Sequence, residues 1–439
     1  MSPIQRTTEL RLTQVSLAVT AVATALLAWS TGHVAWTAAE QGQIGRLIEA
    51  ILFGALAGFL VYGNLCYQVA RLGQLTRTHA HQRSRMDSPV PFIRKSAPAV
   101  TVLVPSYKEE IPIIRQTLLS AALQDYPNKR VVLLLDDPPN PKSCQDQRAL
   151  WAGRTLPFDL QTLLKKPAEY VTQAHAAFLD RRAAAIQNLA DECVRLSDCF
   201  SWASAWYETQ AKHSPEESHT DVWFVEQVLN QPAEACREQA ALWFRRRTQI
   251  DTLSAHRILD EIDAAYAHIA GRFQVEFDVF ERKQYRNLSQ ESNKAMNLNS
   301  YLGLMGTRVK PVLLTDGVHL EETSVLTGSR VIPDTPYVIT LDADSLLLPQ
   351  YASTLVRLME QPEHARMAVA QTPYSAIPNA PGAMERTAGD RFAGRLRGQL
   401  DRVAVARVPG RPCGGLRVEG AVAPAGLVAP GISNCKSRN

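Results

Sequence analysis

The feature that most limits what this chain can become is a pair of charge-free apolar runs at its start. From Leu12 to Ala39 there is no Asp, Glu, Lys or Arg, and a second uncharged run extends from Ala50 to Ala70. A helix needs roughly 20 apolar residues to cross the hydrocarbon of a bilayer, so both runs qualify. They read as a two-helix transmembrane hairpin over residues 12–70, turning near Glu40 and Arg46. A cleaved signal peptide is the rival for the first run; its length and the second span argue against that reading. Arg6 and Arg11 precede the hairpin, and Arg71, Arg77, Arg83, Arg85, Arg94 and Lys95 follow it. Positive flanks mark the cytoplasmic side, so residues 1–11 and the large domain are expected in the cytoplasm, with the protein multi-pass in the inner (cytoplasmic) membrane.

Residues 71–97 are basic and polar and read as a juxtamembrane linker lying along anionic head groups of membrane lipids. The net charge of +4 over 439 residues gives no case for nucleic acid as a partner. The seven cysteines form no CxxC pair and no zinc spacing, which fits reduced, cytosol-facing domains.

Beyond the linker the pattern is α/β. "AVTVLVPSYKEE" opens as a buried strand over Val100 to Val104, "EIPIIRQTLLSAALQ" has helical spacing, and "KRVVLLLDD" is a second continuous apolar strand ending in Asp136 and Asp137. Near-continuous apolar strands alternating with helices predict a parallel sheet covered on both faces. Ligands of such sheets bind outside the carboxyl ends of the strands, where Pro105 to Glu110 and Asp136 to Asn140 fall. Residues 98–144 form the first part of this domain, and 145–284 read as a helical insertion. Its amphipathic stripe of Leu179, Ile186, Leu189, Cys193 and Leu196 marks either a packed helical subdomain or a lid that binds a protein partner. The sheet resumes over 285–389, with a helix in "SNKAMNLNSYLGLMG", a strand in "PYVITLDADS", a helix in "YASTLVRLME" and a strand in "MAVAQTPY". Residues 390–439 are rich in Arg, Gly, Ala, Val and Pro with neither period. They are expected to be disordered, as a shifted reading frame of a GC-rich gene or as an authentic flexible tail.

Asp342-Ala343-Asp344 ends a predicted strand. Two carboxylates this close repel unless a cation or water screens them, and beyond a strand end they can reach one divalent ion, Mg²⁺ or Mn²⁺. The same triplet also suits a helix N-cap, with Asp344 or Ser345 as the cap. Asp136 and Asp137 end an earlier strand, where a carboxylate can accept from a base N–H or a ribose hydroxyl, and Tyr107 would close the other side of that pocket.

"VTVLVPSYKEE", "VVLLLDD", "SNKAMNLN", "VITLDADS" and "AVAQTPY", in that order, resemble the nucleotide-binding motifs of family 2 glycosyltransferases, the GT-A fold, and most of all the membrane-embedded branch that includes cellulose synthase. The resemblance covers roughly residues 98–145 and 285–388. It implies a Rossmann-like domain, a UDP-sugar donor of the glucose or N-acetylglucosamine class, a divalent metal, and a glycan or polyprenyl-phosphate acceptor. Carried over by motif, Tyr107, Glu109 and one of Asp136 or Asp137 would hold the uridine and Lys294 would face the diphosphate. Asp342 and Asp344 would coordinate the metal, and Gln371, Thr372 and Pro373 would line the donor or acceptor side. The family's Thr-Glu-Asp-like motif, which carries the general base, and its Gln-x-x-Arg-Trp are absent; Gln145 to Arg148 has the latter spacing, but Ala149 follows. The reading is therefore a membrane-anchored inverting glycosyltransferase, truncated after its donor-binding half. The alternatives are a non-catalytic nucleotide-sugar-binding scaffold and a nucleotidyltransferase.

Overall fold

The computed structural model describes residues 3–84, 97–185, 188–249, 255–372, 377 and 404–407. They fall into two units. The first holds helices α1 (Pro3–Glu40) and α2 (Ile44–Ser84). Segments Leu10–Glu40 and Ile44–Gly73 are long and apolar enough to cross a membrane, and their side chains face outward, as Trp29 and Phe59 do, rather than into a protein core. The turn between them is a Schellman motif. Gly42 adopts φ +66°, and the amides of Gly42 and Gln43 donate to the carbonyls of Ala39 (3.2 Å) and Ala38 (2.9 Å). Across the helix pair, buried Gln68 donates through Nε2 to Thr20 Oγ1 (2.8 Å) and Ser16 Oγ (3.3 Å), the kind of polar contact that joins helices in lipid. The expected linker is helical as far as Ser84, because α2 continues unbroken through its basic residues; 85–96 lie outside the described residues.

The second unit is a mixed α/β domain. Strand β1 (Val100–Ser106), helix α3 (Ile111–Ala122) and strand β2 (Lys129–Leu135) are followed by helices α4 (Cys144–Ala183), α5 (Leu189–His213), α6 (His219–Phe224), α7 (Gln231–Arg246) and α8 (Ala255–Phe273). Then come strand β3 (Glu276–Phe280), helix α9 (Lys294–Leu304), strands β4 (Arg308–Leu314), β5 (Gly317–Glu322), β6 (Arg330–Val331) and β7 (Tyr337–Thr340), helix α10 (Tyr351–Glu360), and strands β8 (Val369–Gln371) and β9 (Ala404–Arg407). The main sheet has the order β3-β2-β1-β7-β9-β8. Its pairings β3–β2, β2–β1 and β1–β7 are parallel, and β9 runs antiparallel to both of its neighbours. Every residue of β1 and β2 is buried, which is why these strands read as unbroken apolar runs. One face, with Leu103, Val132, Leu134, Phe280 and Val338, packs on Leu298 and Tyr301 of α9, on Val309 and Leu320 of the small antiparallel sheet β5-β4-β6, and on Ile332 just after β6. Helices α3 and α4 pack from the other side.

Four expectations change. Residues 276–280 belong to the sheet rather than to a helical insertion; the short edge strand β3 is held by Gln161 of α4, which accepts from the Phe277 amide (3.0 Å) and donates to the Val275 carbonyl (3.1 Å). The Leu179–Leu196 stripe is not one helix. Ala185 at φ +53° ends α4, Asn188 caps α5, and Ile186 lies outside the described residues. Residues 308–331 form the small sheet, whose β4–β5 hairpin turns at Thr315 and Asp316. Within 390–439, expected to be disordered, 404–407 form β9 between β7 and β8, because its backbone groups complete both ladders; the rest of that segment lies outside the described residues.

Helix α8 meets the loop between α3 and β2 at a polar seam. Lys129 Nζ donates to the carbonyls of Tyr126 (2.9 Å), Gly271 (2.6 Å) and Arg272 (3.1 Å). Asp125 pairs with His268 (2.6 Å) and Arg272 (3.4 Å). Burial raises the Asp125 carboxyl, but Arg272 and then His268 more than offset this and hold it well below the usual carboxylate range. A depressed carboxylate stabilises the fold fully above its unfolded value of about 4, and that contribution fades as pH falls towards the folded value. Asp125→Asn is expected to cost roughly 3 kcal/mol at neutral pH by leaving Arg272 without its partner, and to flatten the loss of stability below about pH 4, read from thermal unfolding across pH. A Cβ on Gly271 would lie 2.9 Å from Pro127 Cα and Cβ. Gly271→Ala is therefore expected to destabilise the domain by about 1–3 kcal/mol in the same assay.

Candidate functional site

The chain runs from β1 outward to β2 and β3, then returns to place β7 on the other side of β1. Such a reversal of strand order lies between β1 and β7, and the crevice between the loops that leave the two strands is where open parallel sheets bind ligands. Tyr107 to Glu110 leave β1 there, and Leu341 to Ser345 leave β7. The Leu341 amide donates to the Leu103 carbonyl (3.0 Å), so the end of β7 is fixed on β1 up to the start of its loop, while β1 runs on to Ser106.

On the β7 side, Asp342 is mostly buried and accepts from Lys294 Nζ, at the first turn of α9. The Ser345 amide donates to the Asp342 carbonyl (3.1 Å), closing a turn that leaves Asp344 exposed, with Ser345 Oγ donating to its Oδ1 (3.4 Å). The helix-cap reading of Asp344 or Ser345 is not realised, since α10 starts at Tyr351 with Gln350 before it. Helix α3 fixes this loop from beneath. Thr117 Oγ1 donates to the Ala343 carbonyl (2.7 Å), Ser120 Oγ accepts from the Leu347 amide (3.1 Å), and Gln124 both donates to the Leu348 carbonyl (2.9 Å) and accepts from the Ala352 amide (3.0 Å).

On the β1–β2 side, Tyr107 is 48% exposed, and its ring lies 5.7 Å from Lys108 Nζ and 5.6 Å from Lys283 Nζ. Lys108 adopts φ +56°, a strained conformation for a non-glycine residue, and its backbone amide donates to the Asp137 carboxylate. Asp136 is buried and its Oδ1 pairs with Nη2 of the fully buried Arg282 (2.6 Å) and with Lys283 Nζ (3.4 Å), which also donates to the Asp136 carbonyl (2.5 Å). Asp136 is thus part of the frame, and Asp137 is the partly exposed carboxylate of the pair. Burial raises the Asp137 carboxyl, with Lys108 and Lys283 pulling the other way. The Glu109 carboxyl is also raised, first by burial, then by the charges of Asp344 and Glu110.

Gln371 and Thr372 are not brought against these groups. Gln371 and Thr340 both face Ala404 of β9 in register, so the end of β8 is level with the end of β7 but about 10 Å away, two strand spacings. Thr372 Oγ1 is hydrogen-bonded to Tyr351 Oη (2.9 Å), and Pro373 lies outside the described residues. The sequence reading missed Arg282 and Lys283, which lie where only helix was expected, and the α3 polar residues. Thr117, Ser120 and Gln124 at i, i+3 and i+7 were a visible signal, a polar stripe that the structure buries.

Among the described residues no three His, Cys, Asp or Glu side chains converge on one point. The donors at the crevice are the carboxylate oxygens of Asp342, Asp344 and Glu109, with Asp342 engaged by Lys294. Hard oxygens of this kind fit Mg²⁺ or Mn²⁺ bound through one or two carboxylates, water and ligand phosphate, and do not form a closed protein cage. Comparison with protein-family models, curated proteins and solved structures finds no match. Any functional reading therefore rests on the site itself.

Thr117→Val removes the hydroxyl beneath Ala343 at nearly constant shape. It is expected to cost about 1–2 kcal/mol and to speed hydrogen exchange at Ala343 to Ser345 while leaving β2 amides protected.

Proposed function

We propose that this protein is a membrane-anchored glycosyltransferase of the GT-A type that binds a UDP-sugar, of the glucose or N-acetylglucosamine class, at the β1/β7 crevice for glycan or polysaccharide synthesis. The observation that carries the reading is the meeting of Lys294, Asp342, Asp344 and Glu109 at the strand-order reversal, with Tyr107 and Asp137 on the same edge. The exposed Tyr107 ring offers a stacking surface for the uracil, and Asp137 an acceptor for a base N–H or ribose hydroxyl. Lys294 would engage the diphosphate. Asp344, with Glu109 or Asp342, would hold Mg²⁺ or Mn²⁺, which when bound neutralises charge on the leaving diphosphate. The two N-terminal helices would anchor the domain in the cytoplasmic membrane as a multi-pass hairpin. The acceptor would be a growing glycan or a polyprenyl phosphate.

A binding-only reading keeps the same site and the same donor-holding groups, without a group to deprotonate an acceptor hydroxyl. Binding and deprotonation use different residues, so donor capture does not require it. The nucleotidyltransferase alternative predicts a different base preference. Calorimetric titration with UDP, ATP and CTP, each with and without Mn²⁺, tests the proposal. UDP is expected to bind in a Mn²⁺-dependent way and tightest of the three, with Asp344→Ala weakening Mn²⁺-dependent binding by about tenfold or more. Equal binding of ATP or CTP, or indifference to Asp344→Ala, overturns it.

A further inference from the structure

We propose that α2 pairs within the membrane with the α2 of a second copy of this chain, through a seam centred on Asn64. The inference rests on α1 and α2 being a transmembrane hairpin and is independent of the donor site.

In the charge-free run from Ala50 to Ala70, the side chains able to hydrogen-bond are Tyr62, Asn64, Cys66, Tyr67 and Gln68. All but one have partners. Gln68 donates to Thr20 and Ser16 across the helix pair, Tyr67 Oη accepts from Arg71 (3.3 Å), and Tyr62 is hydrogen-bonded to Cys66. Asn64 is exposed, and among the described residues its carboxamide has no partner. The seam with α1 does not cover it. Helix α2 meets α1 through Ala50, Gly54 and Gln68, and a Cβ on Gly54 would lie 3.3 Å from Thr31 Cγ2. Asn64 instead follows the exposed Phe53 and Leu60 at spacings of seven and four, which puts the three on one helix face beside that seam.

Depth makes the carboxamide costly. Leu60 is the middle residue of the run, and Asn64 stands one turn away, about 6 Å along the axis. The hydrocarbon extends roughly 15 Å to either side of its midplane. A carboxamide on a single methylene is too short to reach the head groups as a lysine does. Lipid tails offer it no hydrogen bond, so an unmet amide at this depth favours any arrangement that meets it.

A second copy supplies the partner by construction. Both copies insert with one topology, so their Asn64 side chains stand at the same depth on parallel helices. A carboxamide is donor and acceptor at once; about a twofold axis along the membrane normal, each Nδ2 can donate to the other's Oδ1. A different membrane protein would need a complementary group placed at that depth. A lone asparagine in a seam with this spacing also fixes register and favours parallel pairs, while Phe53 and Leu60 pack in place of lipid.

The test uses the full chain fused to a donor or an acceptor fluorescent protein, reconstituted together in phosphatidylethanolamine–phosphatidylglycerol vesicles over a range of protein-to-lipid ratios. The wild type is expected to show energy transfer above random proximity that falls as lipid dilutes it. Asn64→Leu, which only makes the span more apolar, should need about fivefold or more protein density for the same transfer. Asn64→Gln keeps the carboxamide and should stay within about twofold of the wild type, as should Leu56→Ala, a control at another exposed position of α2. No transfer above random proximity in the wild type overturns the inference, as does equal pairing by Asn64→Leu or an equal loss in Leu56→Ala. An alkaline carbonate wash separates the two readings. A chain released by the wash rejects the hairpin and the pairing together, whereas a chain that stays with the vesicles but does not pair rejects the pairing alone.

Discussion

Strand β1 is buried along its whole length, paired with β2 throughout and with β7 over Val100–Leu103, so most of its backbone groups are consumed by the ladders and its side chains by two packed faces. A strand in that position can present chemistry only where it stops. The same holds for most of β2, and β7 pairs with β1 over Val100–Leu103, so it ends three residues before β1 does. Tyr107, Glu109, Asp136, Asp137, Asp342 and Asp344 all stand in the loops where these strands stop, and Lys294 reaches the same edge from the start of α9. The reversal of strand order at β1 then separates the loops that leave β1 and β7 and gives the edge a crevice.

Helix α3 turns that edge into a defined site. It packs against β1 and β2, and its buried Thr117 and Ser120 hydroxyls, with the Gln124 amide just beyond its end, hold the backbone from Ala343 to Ala352. Each such bond contributes only about 1 kcal/mol, yet leaving any of these carbonyls unmet would cost more than that, so the loop has one favourable path. The same helix reaches the long helical segment. Gln116 donates to Asp221 (2.5 Å), and just beyond the helix Asp125 pairs with His268 and Arg272 while its amide donates to the Pro349 carbonyl (2.6 Å). Helices α6 and α8 and the loop bearing Asp342 and Asp344 therefore share one set of buried polar supports.

What the sequence made legible follows from burial. The strands β1, β2 and β7 and the helices α3, α9 and α10 could be read because each carries a continuous apolar run or a clean helical stripe. Strands β3, β4, β5 and β6 are short, partly exposed and mixed with charge, so their period is weak, although Asp316-Gly317 between apolar residues was a hairpin signal open to be read. Nothing local in Ala404 to Arg407 announces a strand; it is defined by the two ladders it completes. At the site, the carboxylates could be found but not ranked. Asp136 and Asp137 look alike in the chain, and only Arg282, supplied from beyond the long helical segment, makes the first part of the frame and leaves the second partly exposed.

The carboxylates of the edge thus divide into two kinds. Asp136 and Asp342 face internal cations, Arg282 with Lys283 and Lys294, and their charge is balanced within the protein. Asp344, Glu109 and Asp137 have no such partner in an ion pair among the described residues, and burial pushes the last two upward. The first group fixes the loops; the second gives the crevice a demand for positive charge or for donors. A bare anion would meet Lys294 and worsen that demand, and a bare cation would meet Asp344 while competing with Lys294 for Asp342. A ligand that brings both signs together would answer both demands, which is what the proposed metal–nucleotide donor would supply.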